Sequence, residues 1–329
     1  MRPPSLLAKC LPMCLAAGVI VLGVDTTSAG IQGSGFRRLA TFGVITSTGD
    51  VTVNGTAYES ARSRVYVNGY VSDKSHLHVG EIVSIEGSID PSGTLAIADE
   101  IAYSADLRGR ITSTDTDTLT FVVLDHRVRV TDSTLLAGGS SASLSVGQVV
   151  EVSGYPNAAG ELVASRVSIE AQAAVAQARG AVAVLDQNAH TFLLGSLLVD
   201  YAKANVTGLL AEGVDVVVQG GTANGASMLV ASRISVPPPL GGPGDKADLE
   251  SIITAFSSAA DFELNGRRIR ADERTVYSLH GGTLGPNVTV RVKGQFAPDG
   301  AVVADKVDLV SAPVTAHGKP ATAGRGRNP

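Results

Sequence analysis

The sequence predicts an all-β protein, a tandem array of four small five-stranded OB-like barrels behind an N-terminal signal peptide. Three observations carry that expectation. A short apolar line ending in glycine returns four times, its closing glycines Gly87, Gly154, Gly220 and Gly294 spaced 67, 66 and 74 residues apart. Within the line apolar and polar residues alternate, the pattern of a half-buried strand. The apolar fraction is 44%, yet aromatics make up only 4% and tryptophan is absent, so the cores must be built from Val, Leu and Ala. Thin β-modules suit such side chains better than large helical packing does.

The chain opens with Arg2 and Lys9, continues through the apolar run Leu11 to Val24, and reaches the small residues Thr27-Ser28-Ala29. This is the grammar of a signal peptide over 1–29. The run is shorter than the roughly 20 apolar residues of a membrane span, so the mature chain is expected to have no transmembrane segment. An uncleaved anchor and a lipoprotein modified at Cys14 are the alternatives; Pro12 and Met13 before the cysteine speak against the second. Both cysteines, Cys10 and Cys14, lie in this segment, so the mature chain has neither a disulfide staple nor a thiol nucleophile. Losing two cations and one anion with the segment takes the net charge from −5 to −6.

The repeats follow in order. The glycine-closed line reads Val79-Gly80-Glu81-Ile82-Val83-Ser84-Ile85-Glu86-Gly87 in the first copy and Val146-Gly147-Gln148-Val149-Val150-Glu151-Val152-Ser153-Gly154 in the second. The third runs from Glu212-Gly213 to Gly220, and the fourth from Pro286-Asn287 to Gly294. Each is followed by a turn glycine and a short strand: Gly93 before Ala98, Gly160 before Ala164, Gly225 before Ala231 and Gly300 before Ala304. Each is preceded by an opening line: Gly43-Val44-Ile45-Thr46, Gly109-Arg110-Ile111-Thr112, Gly180-Ala181-Val182-Ala183 and the weaker Glu250-Ser251-Ile252-Ile253. Asn54-Gly55 and Asn265-Gly266 sit between apolar runs and read as tight hairpin turns. That makes about five strands per unit, with an irregular or helical stretch such as 133–145 before the fourth. Closing five strands into a barrel removes exposed edges; a sandwich or an open meander fits the same pattern.

The boundaries follow: a linker at 30–39, β-repeats at 40–104, 107–171 and 176–236, a Pro/Gly linker at 237–247, a fourth repeat at 248–310 and a disordered basic tail at 311–329. Repeats one and two are expected in a fixed relation, because few residues separate them. The linker Pro237-Pro238-Pro239-Leu240-Gly241-Gly242-Pro243-Gly244 predicts a semi-independent fourth repeat.

With Phe42-Gly43-Val44-Ile45, Val51-Thr52-Val53-Asn54-Gly55, the line at 146–154 and Gly160-Glu161-Leu162-Val163-Ala164-Ser165-Arg166-Val167 in view, the chain resembles the bacterial envelope repeat family known as domain of unknown function 5666. The resemblance spans nearly all of the mature chain. It implies export and OB-like modules, and it brings no catalytic residues with it.

The candidate chemistries are then weighed one by one. His76-Leu77-His78 offers two imidazoles on one strand face, but no further ligand stands nearby and no other repeat reproduces the pair; metal sites need three or four ligands. His126, His190, His280 and His317 fall at unrelated points of the repeat. Asp115-Thr116-Asp117 and Asp132 lack the glycine and distal glutamate of a calcium loop. The segment from Gly241 to Lys246 lacks the ending of a phosphate loop. Asn54, Asn205 and Asn287 lie in Asn-x-Ser/Thr triplets, which matter only in a glycosylating host. No serine elbow with a histidine partner is present. Catalytic, cofactor-binding and metal residues are therefore expected to be none, and the chain is expected not to be an enzyme.

Two function classes remain. The first is an exported binding or structural module of the bacterial envelope, periplasmic or extracellular, whose partner is an unknown envelope protein or glycan. The alternative is an OB-like binder of single-stranded nucleic acid or oligosaccharide. Nucleic acid is disfavoured by the acidic body and by too few scattered aromatics: Phe121, Phe192, Phe256, Phe262, Tyr66 and Tyr70. Arg267, Arg268, Arg270 and Arg274 form the one basic cluster, expected as a solvated strand face.

Overall fold

The computed structural model describes residues 35–171, 175–223 and 227–311. The expected signal peptide, the tail beyond Ser311, Gly225 and His317 lie outside the described residues. Module one contains β1 (Arg37–Ser47), β2 (Val51–Val53), β3 (Thr56–Glu59), β4 (Arg64–Val67), β5 (Tyr70–Ser72), β6 (Ile82–Ile89) and β7 (Ala96–Tyr103). Module two contains β8 (Leu107–Asp115), β9 (Thr120–Val123), β10 (His126–Arg129), β11 (Leu135–Ala137), β12 (Val149–Pro156) and β13 (Leu162–Glu170). Module three contains β14 (Ala176–Asp186), β15 (Thr191–Leu194), β16 (Leu197–Asp200), β17 (Asn205–Thr207), β18 (Asp215–Ala223) and β19 (Met228–Ser235). Module four contains β20 (Lys246–Ser258), β21 (Asp261–Leu264), β22 (Arg267–Ser278), β23 (Thr289–Phe296) and β24 (Val302–Ser311). One-turn 3-10 helices at Lys74–His76 and Ser141–Ser143 precede β6 and β12. No helix among the described residues is long and apolar enough to cross a membrane.

Each module closes one five-stranded ring. In module one the order is β1-β2-β3-β7-β6 and back to β1, antiparallel except for the parallel β3–β7 pair. The same circuit runs through β8-β9-β10-β13-β12 and β14-β15-β16-β19-β18. In module four it is β20-β21-β22-β24-β23. The expected array of small barrels is thus observed. The alternation that predicted it is visible in β23, where Val290 and Val292 are fully buried while Arg291 and Lys293 point away.

The repeated glycines have separate physical reasons. Gly87, Gly154, Gly220 and Gly294 each sit where the fourth ring strand slips register against the fifth. A Cβ at these positions would lie 2.1, 2.5, 2.0 and 2.1 Å from the carbonyl oxygens of Ile97, Val163, Val230 and Val303. Only glycine admits so close an approach of two backbones, and the bulge bends the strand around the ring. Gly80, Gly147 and Gly213 instead adopt φ of 92°, 92° and 77°. Their N–H groups donate to the carbonyls of Ile45, Ile111 and Val182. In module four Asn287 takes this place with φ 67° and donates to Ile253, since asparagine tolerates the left-handed region. That equivalence corrects one alignment: Ser251, not Glu250, stands where Gly43, Gly109 and Gly180 open the other modules.

The modules join by strand continuity. β1 runs parallel to β20, with Leu39 to Phe42 opposite Lys246 to Leu249, and β8 pairs with β14 at Leu107–Ala178 and Arg108–Gln177. Two twelve-stranded sheets result, one through modules one and four and one through modules two and three. The expected semi-independence of the fourth repeat is therefore overturned. The Pro/Gly segment is itself tied down: the Gly241 N–H donates to Glu86 Oε1 at 2.7 Å and the Gly244 N–H to the Phe296 carbonyl at 2.9 Å. Composition reported the flexibility of the free segment; the partners that hold it are more than 50 residues away in sequence.

Two polar clusters fasten the modules. At the first, Asn54 Nδ2 donates to the Phe42 carbonyl and to the carbonyl and carboxylate of Asp248, while Arg291 grips the same carboxylate through two bonds of 2.7 and 2.6 Å. A Cβ on Gly43 would fall 2.0 Å from Asn54 Oδ1, so this glycine makes room for the asparagine. At the second, Asn68 Oδ1 accepts from the Ala105 N–H and from Gln177 Nε2 at 2.8 and 3.1 Å, and Gln219 Nε2 donates to the Asn68 carbonyl at 3.1 Å. Gln177 is completely buried, which makes each of these bonds costly to lose. Between them, Ile82, Tyr155, Val163 and Ile252 form an apolar plug contributed by modules one, two and four.

The bulge glycines generate a paired prediction. Gly154→Ala forces a backbone shift and lowers stability by about 2 kcal/mol or more. Gly180→Ala, whose Cβ would meet only Leu194 Cδ2 at 3.9 Å, changes stability by less than about 1 kcal/mol. Urea-denaturation midpoints of the two variants test this, and equal losses would refute the steric account.

Candidate functional site

Most of the residues singled out in the sequence are spent on local structure. His76 Nδ1 lies 3.4 Å from Asp73, and Glu81 accepts both the backbone N–H and Nδ1 of His78 at 2.8 and 3.0 Å. Burial raises the Glu81 carboxyl above its ordinary range, opposed by those His78 bonds. His190 packs its ring 5.6 Å from Tyr201, and His280 occupies a turn with φ 50°. Asp115 accepts the N–H groups of Asp117 and Thr118 in its own hairpin. No group of three or more His, Cys, Asp or Glu among the described residues is placed to hold a metal ion.

The arginine cluster is likewise engaged. Arg268 pairs with Asp261, Arg270 with Asp299 and Arg274 with Asp272. Arg267 lies 5.1 Å above the Phe296 ring and donates to the Gly300 carbonyl. Phe121, Phe192 and Phe262 are buried in barrel cores; Tyr70 is exposed, with Arg233 stacked 5.1 Å from its centroid. Of the glycosylation triplets, Asn54 is buried, Asn205 lies exposed on β17, and Asn287 Oδ1 accepts from the Ala158 N–H.

A cleft of about 190 Å³ opens where modules two, three and four meet. Module two supplies Asp106, Leu107, His126 and the Pro156–Leu162 turn; module three supplies Arg179, Gly180 and Asp215; module four supplies Asn265 from its β21–β22 hairpin. No module contains it alone. A larger hollow of about 260 Å³ caps the second barrel, but it is lined by one module, mainly with apolar and threonine side chains.

The placement of Asp106 follows from the β8–β14 junction. Its carbonyl accepts from the Arg179 N–H at 2.8 Å and its own N–H donates to the Val152 carbonyl at 3.0 Å, extending the sheet by one residue. Its side chain turns inward, where Oδ2 accepts from the Gly154 N–H at 2.9 Å. Burial pushes the carboxyl up to about 6, against the opposing pull of the Arg179 guanidinium and the Gly154 bond. Arg179 donates through Nε and Nη2 to Asp215 Oδ2 at 3.3 and 3.2 Å. Across the cleft His126 Nδ1 donates to the Leu124 carbonyl at 2.7 Å, and burial lowers its pKa. The neighbouring turns are latched by Ser196 Oγ donating to the Asp125 carbonyl at 2.6 Å.

This arrangement offers acceptors, donors and an apolar wall at one place, with no thiol or serine nucleophile among its lining residues. Sequence reasoning missed it. Asp106, Arg179 and Asp215 belong to no shared repeat line, and the only signal was that a charged residue interrupts the short join between repeats one and two.

Asp106 gives a pH prediction. Its folded pKa stands above the ordinary 3.8, so the stabilisation from its protonated form is fully present below pH 3.8 and is lost as pH rises through about 6. Asp106→Asn keeps an acceptor for the Gly154 N–H without the charge. It is expected to raise stability by about 2 kcal/mol at pH 7.5 and to change it little at pH 4. Denaturation midpoints at the two pH values decide; a loss of stability at pH 7.5 would contradict the assignment.

Comparison with curated proteins finds no match. A family model described as a domain of unknown function matches residues 42–102, 108–168 and 250–308, together just over half of the chain. The sequence reading counted four copies, and the third module closes the same ring without being one of the matched regions. By these three matches, which fall on modules one, two and four, the chain belongs to the family of domain of unknown function 5666.

Proposed function

We propose that this protein is an exported, non-catalytic binding module of the bacterial envelope, in which four barrels act as one rigid platform. The observation that carries the reading is the cleft itself, because three modules each contribute polar groups to a space that none encloses alone. A catalytic site can be built within one barrel; a composite recess made by packing copies together is what a recognition surface requires. The pairing of nearly every cluster of arginines with neighbouring aspartates also supports it, since a phosphate-binding groove needs its cations free. Export is supported by the leader grammar at 1–29 and by a mature chain free of cysteine.

The reading is tested in the host bacterium with a C-terminally tagged full-length chain, fractionation and in-cell crosslinking followed by mass spectrometry. The expected result is a chain beginning at Gly30 outside the cytoplasm, crosslinked saturably to one envelope component and released by deletion of module three. An unprocessed cytoplasmic chain, or a preparation that pellets with single-stranded nucleic acid in a salt-dependent way, would overturn it.

A further inference from the structure

The geometry points to a ligand for the cleft between modules two, three and four: a single neutral glycosyl unit. This inference rests on the binding-module reading and gives it a chemical class. Size is the first argument. A space of about 190 Å³ is below the roughly 300 Å³ at which pockets for drug-sized ligands begin, and suits one small ring in place of an extended chain or a peptide side-chain cluster.

Charge is the second. The cleft holds two carboxylates, Asp106 and Asp215, against one guanidinium, Arg179, which is already bonded to Asp215. An anionic ligand would meet both carboxylates. A cation would face a guanidinium and an aspartate that burial drives toward its neutral form. A neutral ligand meets neither penalty.

Hydrogen-bond chemistry is the third argument. Asp106 uses Oδ2 on the Gly154 N–H, and no bond from a described residue occupies its Oδ1. Asn265 is exposed at the rim and carries both a donor and an acceptor. Arg179 keeps guanidinium hydrogens beyond the two that reach Asp215. Planar groups of this kind bind adjacent hydroxyls pairwise, each hydroxyl both donating and accepting. Leu107, Pro156 and Leu162 supply an apolar wall for the C–H face of the ring.

The test uses the full mature chain and ligand-observed saturation-transfer NMR with the methyl glycosides of glucose, galactose, mannose and N-acetylglucosamine. Gly180→Leu fills the cleft from β14, where a Cβ has open space, and Asp106→Asn turns the cleft-facing acceptor into a donor. Transfer to at least one glycoside, weakened tenfold or more in both variants while their melting transitions stay cooperative, is the expected result. Absence of transfer for all four, or transfer unchanged in Gly180→Leu, would overturn the assignment. So would binding of spermidine or calcium in preference to every glycoside. A chain that captures an envelope component but binds no glycoside retains the module reading and loses the glycan one.

Discussion

Ring closure in each module depends on two backbones coming closer than any side chain permits. At Gly87, Gly154, Gly220 and Gly294 the fourth ring strand bulges against the fifth, and the facing carbonyl occupies the space a Cβ would need. The bulge increases local twist and lets one strand pair with both the first and the fifth. Without it the strands would open into a sheet with two free edges, which invites association with other chains. The core can then be small, because closure satisfies the backbone and Val, Leu and Ala need only fill a narrow barrel.

Once the rings are closed, the modules need a way to meet, and they use polar groups more than area. Asn54 and Asp248 join modules one and four; Asn68, Gln177 and Gln219 join one to three. Buried amides of this kind are directional, so they fix register as well as contact. Hairpin turns are consumed in the process: the Asn54 turn is inserted against module four, and the Asp125 and Ser196 turns hold one another. What remains open is the recess these contacts frame.

The fold was legible because its determinants are periodic. Bulge glycines, alternating valines and Asn-Gly turns recur at a fixed spacing, and each has a local physical cause. The module arrangement was not legible. Nothing in Pro237 to Gly244 announces that Glu86 and Phe296 hold it, or that Lys246 to Leu249 lies beside Leu39 to Phe42. The candidate site was invisible for the same reason: Asp106, Arg179 and Asn265 are brought together by packing between copies, and no motif spans them. The misplacement of Glu250 for Ser251 shows how a repeat that loses its glycine loses its frame as well.

The parallel pairing of β1 with β20 joins Leu39 to Lys246, 207 residues apart. A ribosome delivers the first strand long before its neighbour exists. Contacts of such high sequence separation require closure of a very large loop before they return any free energy, and they slow folding. Module one can close its own ring early, but its outer edge stays unpaired until the last module emerges. The completed body is therefore a circle in which the oldest and youngest parts of the chain meet, and its final assembly is a late, slow event with an exposed strand waiting for it. For a chain carrying an export leader, that delay leaves the polypeptide open for passage before it locks.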